Sequence, residues 1–286
     1  MFNWKAVAFR LKAQIDEANS QLSEFVRKFY LRGYVVHKEL VASDLVSQLE
    51  RAVILLEEEY LSMDVQIADN EHKKTTAPAS DDSSDEEGNN DEGFERPPGD
   101  VFVKANANRR HVLLREPAAT LLISSMLGSQ DLVDLLRSHL GNRVRVVEAA
   151  AISVSCDAKH QAWHWDNEYE PQFAKIVTVF VALQDISPTM GPIEMIYYDG
   201  KWHRETVGVV GLGDAVVMES TTIHRGSKHS GGPPRRVAYA SFMSLRGSPP
   251  DGPVYAIREQ MQKTEINLDE REVVFTSSEP STPNVA

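Results

Sequence analysis

The sequence predicts a mainly β domain with flanking helices, an α+β arrangement, and three observations carry that prediction. From Val144 onward, β-branched runs alternate with turns: VRVVEAAAISVS, AKIVTVFVAL, PIEMIYY, ETVGVVGL, DAVVMES and RRVAYASFMSL. Short strands punctuated by Gly and Pro, with no helices between them, define a sandwich or barrel. The N-terminal part instead spaces its apolar residues helically. A strongly acidic stretch interrupts the helical part.

Residues 3–31 read as helix, with Val7, Phe9, Leu11, Ile15, Leu22, Phe25, Val26 and Phe29 at roughly helical spacing. Gly33-Tyr34-Val35-Val36 reads as a short strand. Ser43 or Asp44 caps a helix over 44–62, whose stripe of Leu45, Leu49, Val53, Leu55 and Leu56 faces the core. The segment 68–99 contains ASDDSSDEEGNNDEGFERPPG and almost no apolar residue. It cannot bury enough surface to offset the entropy of ordering, and so predicts a disordered insert. Order resumes at Val101-Phe102-Val103, and 117–140 is helical with a break near Gly128. The polar tail predicts a loose end. The chain is thus expected to form a single domain over 1–286. Its parts are a helical part (1–66), the acidic insert (68–99), a second helical part (115–141), a β core (144–246) and a tail (266–286).

Composition sets outer limits. An apolar content of 42% and a charged content of 25% are those of a globular protein. The net charge of −12 argues against a nucleic-acid partner. Eight of those charges fall in 80–95, which holds no Lys or Arg. Ser80, Ser83 and Ser84 precede acidic residues there and fit an acid-directed kinase, while the acidic arm itself suits a basic protein partner. No run of 18 apolar residues predicts a membrane span. The start, MFNWKAVAFRLKAQ, lacks the apolar stretch of a secretory signal, and STPNVA is not a peroxisomal address. Cys156 is the only cysteine, which excludes an internal disulfide and suits a reducing compartment, so a cytoplasmic location is expected.

The chemistry lies in His164-Trp165-Asp166, followed by His224, in a turn after a strand ending in Glu219-Ser220, and, eleven positions further, by Arg235. In an extended segment, residues two apart point to the same side, so His164 and Asp166 can reach one ion. A helix at that spacing would separate them. Two imidazoles and one carboxylate occupy one face of an octahedral metal and leave three positions open, the ligand set of non-haem Fe(II) oxygenases. Arg235 offers a planar fork for the far carboxylate of a dicarboxylate cosubstrate that chelates the iron through its 2-oxo acid end. Arg235 is chosen over Arg236 because neighbouring strand residues face opposite sides and only one can point inward. Gln161, Trp163 and Glu219 are candidate partners for fixing the imidazole tautomers. His37, His111, His139 and His160 carry no motif and read as structural or solvent-facing.

These residues resemble the phytanoyl-CoA dioxygenase (PhyH) family. Its Q-x-x-H-x-D pattern appears as Gln161-Ala162-Trp163-His164-Trp165-Asp166, with Tyr169 and Pro171 where members often carry them. VALQDIS (181–187), then Gly191-Pro192-Ile193-Glu194, and Gly213-Asp214 with His224 and Arg235 complete the match. The resemblance covers roughly 25–246. Two departures stand out: Met190-Gly191 replaces an Asn-Gly, and Tyr197-Tyr198-Asp199-Gly200-Lys201-Trp202-His203 replaces a Pro-Gly-Ser/Thr-His turn. That loop borders the substrate pocket in such folds.

The resemblance implies a double-stranded β-helix (jelly-roll, cupin-like) core with N-terminal helices packed on one sheet. It implies Fe(II) held by His164, Asp166 and His224, 2-oxoglutarate as cosubstrate, O2, and ascorbate as reductant. By analogy Phe180, Thr178 and Lys104 join Arg235 at the 2-oxoglutarate. Trp165, Tyr169, Trp202 and His203 are candidate substrate contacts. Related halogenases replace the carboxylate with a small residue; Asp166 is retained, which favours hydroxylation or a related oxidation. Three readings follow: an oxygenase acting on a small molecule, the same fold acting on a protein side chain, and a non-catalytic relative that binds metal or 2-oxoglutarate.

Overall fold

The computed structural model describes residues 22–72, 108–250, 261 and 264–273. Helix α1 spans Glu24–Arg32. The Ser23 hydroxyl accepts from the Val26 amide at 3.4 Å and starts the helix, so the helix read over 3–31 has a cap inside it; residues 1–21 lie outside the described residues. Gly33, at φ +78°, ends it and donates its N–H to the Phe29 carbonyl. Helix α2 (Ser43–His72) continues into the segment assigned to the acidic insert. The rest of that insert, with its three serines, and Val101-Phe102-Val103 lie outside the described residues. On α2, Leu49, Val53 and Leu56 are buried as expected, but Leu55 is 64% exposed and Val46 takes the buried place. Helices α3 (Ala118–Leu127) and α4 (Gln130–Leu140) meet at Gly128, with Ser129 capping the second.

The strands are β1 (Tyr34–His37), β2 (Arg109–Leu113), β3 (Arg143–Val154), β4 (Ile176–Ala182), β5 (Ile193–Tyr198), β6 (Trp202–Thr206), β7 (Ala215–Glu219), β8 (Ile223–Gly226), β9 (Arg235–Ser244) and β10 (Glu265–Asn267). They form a seven-stranded sheet, ordered β1-β7-β4-β9-β3-β10 with β2 also on β3, and a three-stranded sheet, β6-β5-β8. An antiparallel bridge between His164 and His224 extends the smaller sheet by one segment. From β3 to β9, counting the His164 segment, the chain therefore passes back and forth between the two antiparallel sheets. This is the double-stranded β-helix, with the helices on the outer face of the larger sheet.

Side-chain parity decides what each face does. Val177, Val179, Val181, Ala215, Val217, Ala238, Ala240 and Phe242 pack with the helices in one core. The intervening positions face the smaller sheet, where Tyr34, Val216, Met218 and Val237 pack against Met195 and Tyr197. Strand β3 changes parity midway. Val144 and Val146 face the helices, and so do Ala149 and Ala151. The register shift between Val146 and Glu148 accounts for this, and it sets Glu148 opposite Ser241 on the inner side.

Several elements differ from expectation. ETVGVVGL contributes only its first residues to a strand, because β6 lies earlier, at Trp202–Thr206. Beyond it the Val207 and Gly208 amides both donate to the Ile193 carbonyl, at 3.0 and 3.1 Å, which ends the ladder. The stretch expected to be a loop, 197–203, is instead the β5–β6 hairpin. His224 lies within β8, not in a turn. The tail is not loose at its start: β10 pairs with β3, and Ile266 and Leu268 are fully buried.

Candidate metal centre

His164 and His224 face each other across the bridge, each amide donating to the other's carbonyl at 3.0 and 2.8 Å. Their ring centroids are 4.4 Å apart. The His164 Nδ1–H donates to the Ala162 carbonyl at 2.9 Å and the His224 Nδ1–H to the Thr222 carbonyl at 3.0 Å. A carbonyl can only accept, so both rings carry their proton on Nδ1 and present a bare Nε2. The tautomers are therefore set by backbone, not by Gln161, Trp163 or Glu219.

Asp166 sits two residues beyond His164 on the same side, its amide donating to the Ser220 carbonyl at 2.9 Å. Its Oδ1 is 3.9 Å from His164 Nε2 and 3.6 Å from His224 Nε2. One ligand atom from each of the three residues lies within 4.8 Å of the others. A single point then lies within about 2.5 Å of all three, close to ordinary bond lengths of about 2.0–2.2 Å. His224 is buried, whereas the His164 and Asp166 side chains are 36% and 39% exposed, so the trio is open on one side. Burial holds the His224 imidazole below its usual pKa, with His164 adding to the effect against the Asp166 charge. The neutral ring that results is the form that ligates a metal. Two nitrogens and one carboxylate suit Fe(II).

Arg235 opens β9 on the inner face and is fully buried. Its Nη1 donates to the Gly191 carbonyl, and its Nε has no partner among the described residues. Burial, with the nearby Arg109 charge, pushes its pKa down to about 9. Arg236 points the other way, to Glu57 on α2 at 3.1 Å. Arg109, which carries no sequence motif, is brought in by β2. It is buried and donates to the Lys159 and Ser227 carbonyls at 3.1 and 3.2 Å. Gly226 lets it approach, since a Cβ there would lie 2.5 Å from Arg109 Nη1. Among the described residues neither guanidinium has a carboxylate partner. Two buried cations held by carbonyls alone form a place for an anion.

The remaining candidates divide. Phe180 lies on the inner face of β4, its ring 5.5 Å from Tyr239. The Thr178 and Ser241 hydroxyls are 2.8 Å apart, and Ser241 donates to the Glu148 carboxylate. Ser241 has only one proton to give, so Thr178 is the donor between the two hydroxyls. Lys104 lies outside the described residues. Trp165 and Tyr169 are half-exposed. Trp165, Asp166, Glu168, Glu170 and Phe173 line a cleft of about 510 Å³. Trp202 and His203 separate. His203 stacks on Tyr197 at 4.7 Å, on the inner side. Trp202 packs edge-on against Tyr198 and is 65% exposed. It is on the outer side of the sheet, opposite to the face that His224 shares with Met195. The expectation that Trp202 meets substrate beside the metal ligands is therefore corrected.

Tyr239 was missed together with Arg109. It is fully buried, and its hydroxyl lies 3.3 Å from His111 Nδ1. Burial, then the Glu148 and Asp166 carboxylates, keeps it protonated well beyond neutral pH. Its signal was period-2 spacing from Arg235. Arg109 had none.

A jelly roll with two histidines and a carboxylate converging at one end of its smaller sheet defines a non-haem metal oxygenase. The phytanoyl-CoA dioxygenase (PhyH) family model matches residues 29–237, and the chain belongs to that family, whose members are 2-oxoglutarate-dependent non-haem iron enzymes. No curated protein matches the sequence. Among solved structures, the chain is similar to the α-ketoglutarate-dependent carbocyclase SnoK from nogalamycin biosynthesis (14% identity, 82% of this chain and 95% of that one, TM-score 0.49). It is also similar to AviO1 from Streptomyces viridochromogenes Tue57 (19%, 81% and 100%, 0.49). A third is HygX from Streptomyces hygroscopicus, solved with nickel and 2-oxoglutarate (10%, 79% and 88%, 0.49). Among the described residues, no helix is long and apolar enough to cross a membrane.

Proposed function

We propose that the chain acts as one oxygenase domain, binding Fe(II) through His164 Nε2, Asp166 and His224 Nε2 and hydroxylating a small organic molecule. The observation that carries this is the convergence of those three donors within 4.8 Å, with both imidazoles in the ligating tautomer. When bound, iron, 2-oxoglutarate and O2 supply the oxidising chemistry, with succinate and CO2 as coproducts. The protein's own residues bind and orient. Arg235, with Arg109 beside it, takes the distal carboxylate of 2-oxoglutarate; Phe180 and Tyr239 wall that side; Thr178, its proton committed to Ser241, presents only lone pairs.

Substrate enters over the cleft beside Asp166, with Trp165 as an apolar platform and Tyr169 nearby. Asp166, Glu168 and Glu170 on that cleft oppose a polyanion. A neutral or cationic small molecule is therefore favoured over an acyl-CoA. The test is succinate release from 2-oxoglutarate with Fe(II) and ascorbate, first without substrate and then across a panel of neutral, cationic and anionic small molecules. Stimulation by members of the first two groups is expected. Binding of metal or 2-oxoglutarate without any turnover would favour the non-catalytic relative. Stimulation by acyl-CoA alone would overturn the substrate reading.

A further inference from the structure

One short turn, Glu219–Thr222, touches two of the three donors. It joins the end of β7 to the start of β8. The Ser220 carbonyl accepts from the Asp166 and Asn167 amides at 2.9 and 3.2 Å, and so sets where the carboxylate lies. The Thr222 carbonyl takes the His224 Nδ1–H and sets that ring. Whatever fixes this turn thus fixes the spacing between Asp166 and His224.

The turn is tied down at its first residue. The Glu219 amide and the Thr222 hydroxyl both donate to the Gly33 carbonyl, at 2.8 and 3.0 Å. Gly33 has to be glycine for this approach, because a Cβ there would lie 2.5 Å from Thr222 Oγ1. The Glu219 side chain turns away from the metal residues, toward the helices. Its Oε1 meets His139 Nε2 of α4 at 3.2 Å, with His139 only 4% exposed. The two groups lie within ion-pair distance without meeting the geometry of a hydrogen bond. Phe29 and Tyr30 of α1 press on the same ring, with centroids at 5.2 and 5.5 Å. Burial would raise the Glu219 carboxyl, yet His139, and Lys175 less strongly, outweigh it and keep the group ionised.

We propose that His139 and Glu219 are a positioning pair for the metal centre, pinning the turn whose two carbonyls orient Asp166 and His224. This assignment rests on the metal-binding reading above. It couples the helical layer to the ligands through two side chains that make no contact with the metal themselves. Glu219 enters as a candidate tautomer-fixing partner in sequence, and His139 as a structural or solvent-facing histidine. Here the carboxylate acts on ligand placement and the histidine acts through it.

The experiment is calorimetric titration of Co(II) into the metal-free full-length protein, for wild type, Glu219→Gln, His139→Gln and Glu57→Gln. Glu57→Gln is the control, because the Glu57–Arg236 pair also joins a helix to the large sheet but touches neither the turn nor the donors. We expect Glu219→Gln and His139→Gln to weaken Co(II) binding by about 10–100-fold, the usual cost of removing a partner that orients a ligand. Raised Fe(II) should restore their succinate formation. Glu57→Gln should lower the thermal midpoint and leave Co(II) affinity unchanged. Wild-type affinity in both test variants, with wild-type circular dichroism, overturns the pair and leaves the metal site standing. Equal weakening in all three variants makes the effect one of general stability and overturns it too. Failure of the wild type to bind Co(II) sinks the metal reading itself.

Discussion

The two faces of the larger sheet are made by the same strands and share almost nothing else. Toward the helices, β4 presents Val177, Val179 and Val181 and β9 presents Ala238, Ala240 and Phe242, all fully buried. Toward the smaller sheet, the alternating positions of the same strands are Thr178, Phe180, Arg235, Val237, Tyr239 and Ser241, joined by Glu148 and Arg109. The outer face is what the hydrophobic effect would build for stability. The inner face buries charges and hydroxyls that cost folding energy unless something else requires them. The division teaches where to look for function in this chain: at polar groups whose strand neighbours are plain core.

The largest effect should come from Asp166→Ala, which removes a donor without touching the outer face. We expect Co(II) affinity and uncoupled succinate formation to fall by more than about 100-fold, beyond the loss of a mere supporting partner. Unfolding in denaturant should be nearly unchanged. A variant that loses stability instead would erase the distinction between the faces. Phe242→Ala is the converse. It should cost about 3–5 kcal/mol of unfolding free energy, measured by chemical denaturation, while the folded protein keeps its 2-oxoglutarate affinity.

Arg235 and Arg236 sharpen the comparison because they are adjacent and face opposite ways. Arg236→Met leaves Glu57 buried without its cation and should destabilise by about 3–5 kcal/mol. Arg235→Met removes a buried charge that has no carboxylate partner among the described residues. It should leave the metal-free protein equally or more stable, by up to about 1–4 kcal/mol. It should also weaken 2-oxoglutarate binding by at least about 2 kcal/mol, read by calorimetry. If both substitutions destabilise alike, the inner arginine is a structural element.

What could be read from the sequence followed the same division. The choice of Arg235 over Arg236, and the convergence of His164 with Asp166, needed only the period of two that any strand imposes. The helix stripe was readable from its 3.6-residue period, which placed Leu49, Val53 and Leu56 correctly, while Leu55 proved exposed and Val46 buried. What could not be read depended on long-range pairing. Arg109 reaches the site only through β2 pairing with β3. The parity change at Val147 comes from a bulge that no composition announces. β8 is four residues long and mostly polar, so its composition reads as the turn expected around His224. ETVGVVGL has β-rich composition, but the backbone around Gly208 folds onto the Ile193 carbonyl and cannot continue the ladder.

Asp214 gives the smallest effect and tests whether membership of a sequence motif implies a role in chemistry. It stands with Gly213, His224 and Arg235 in the family pattern. Its carboxylate, however, takes Lys38 Nζ at 2.7 Å, the Glu39 amide at 2.9 Å and the Gly211 amide at 2.8 Å. It fastens the β1–α2 connection to the start of β7 and reaches no metal donor. Burial would raise this carboxyl; the Lys38 contact and the two amides prevail and hold it below its usual 3.8. A depressed carboxyl gives stability that is complete above the unfolded value and lost as pH falls through the folded one. Asp214→Asn should therefore cost about 1–3 kcal/mol at pH 7. The cost should shrink as the pH drops below 3.8, where the unfolded chain takes up the proton, and further as the folded carboxyl, which titrates lower, loses its charge too. Unfolding curves at pH 7 and pH 3 would show this, with Co(II) affinity at pH 7 unmoved. A loss of metal affinity with little change in stability would place Asp214 with the inner-face residues instead.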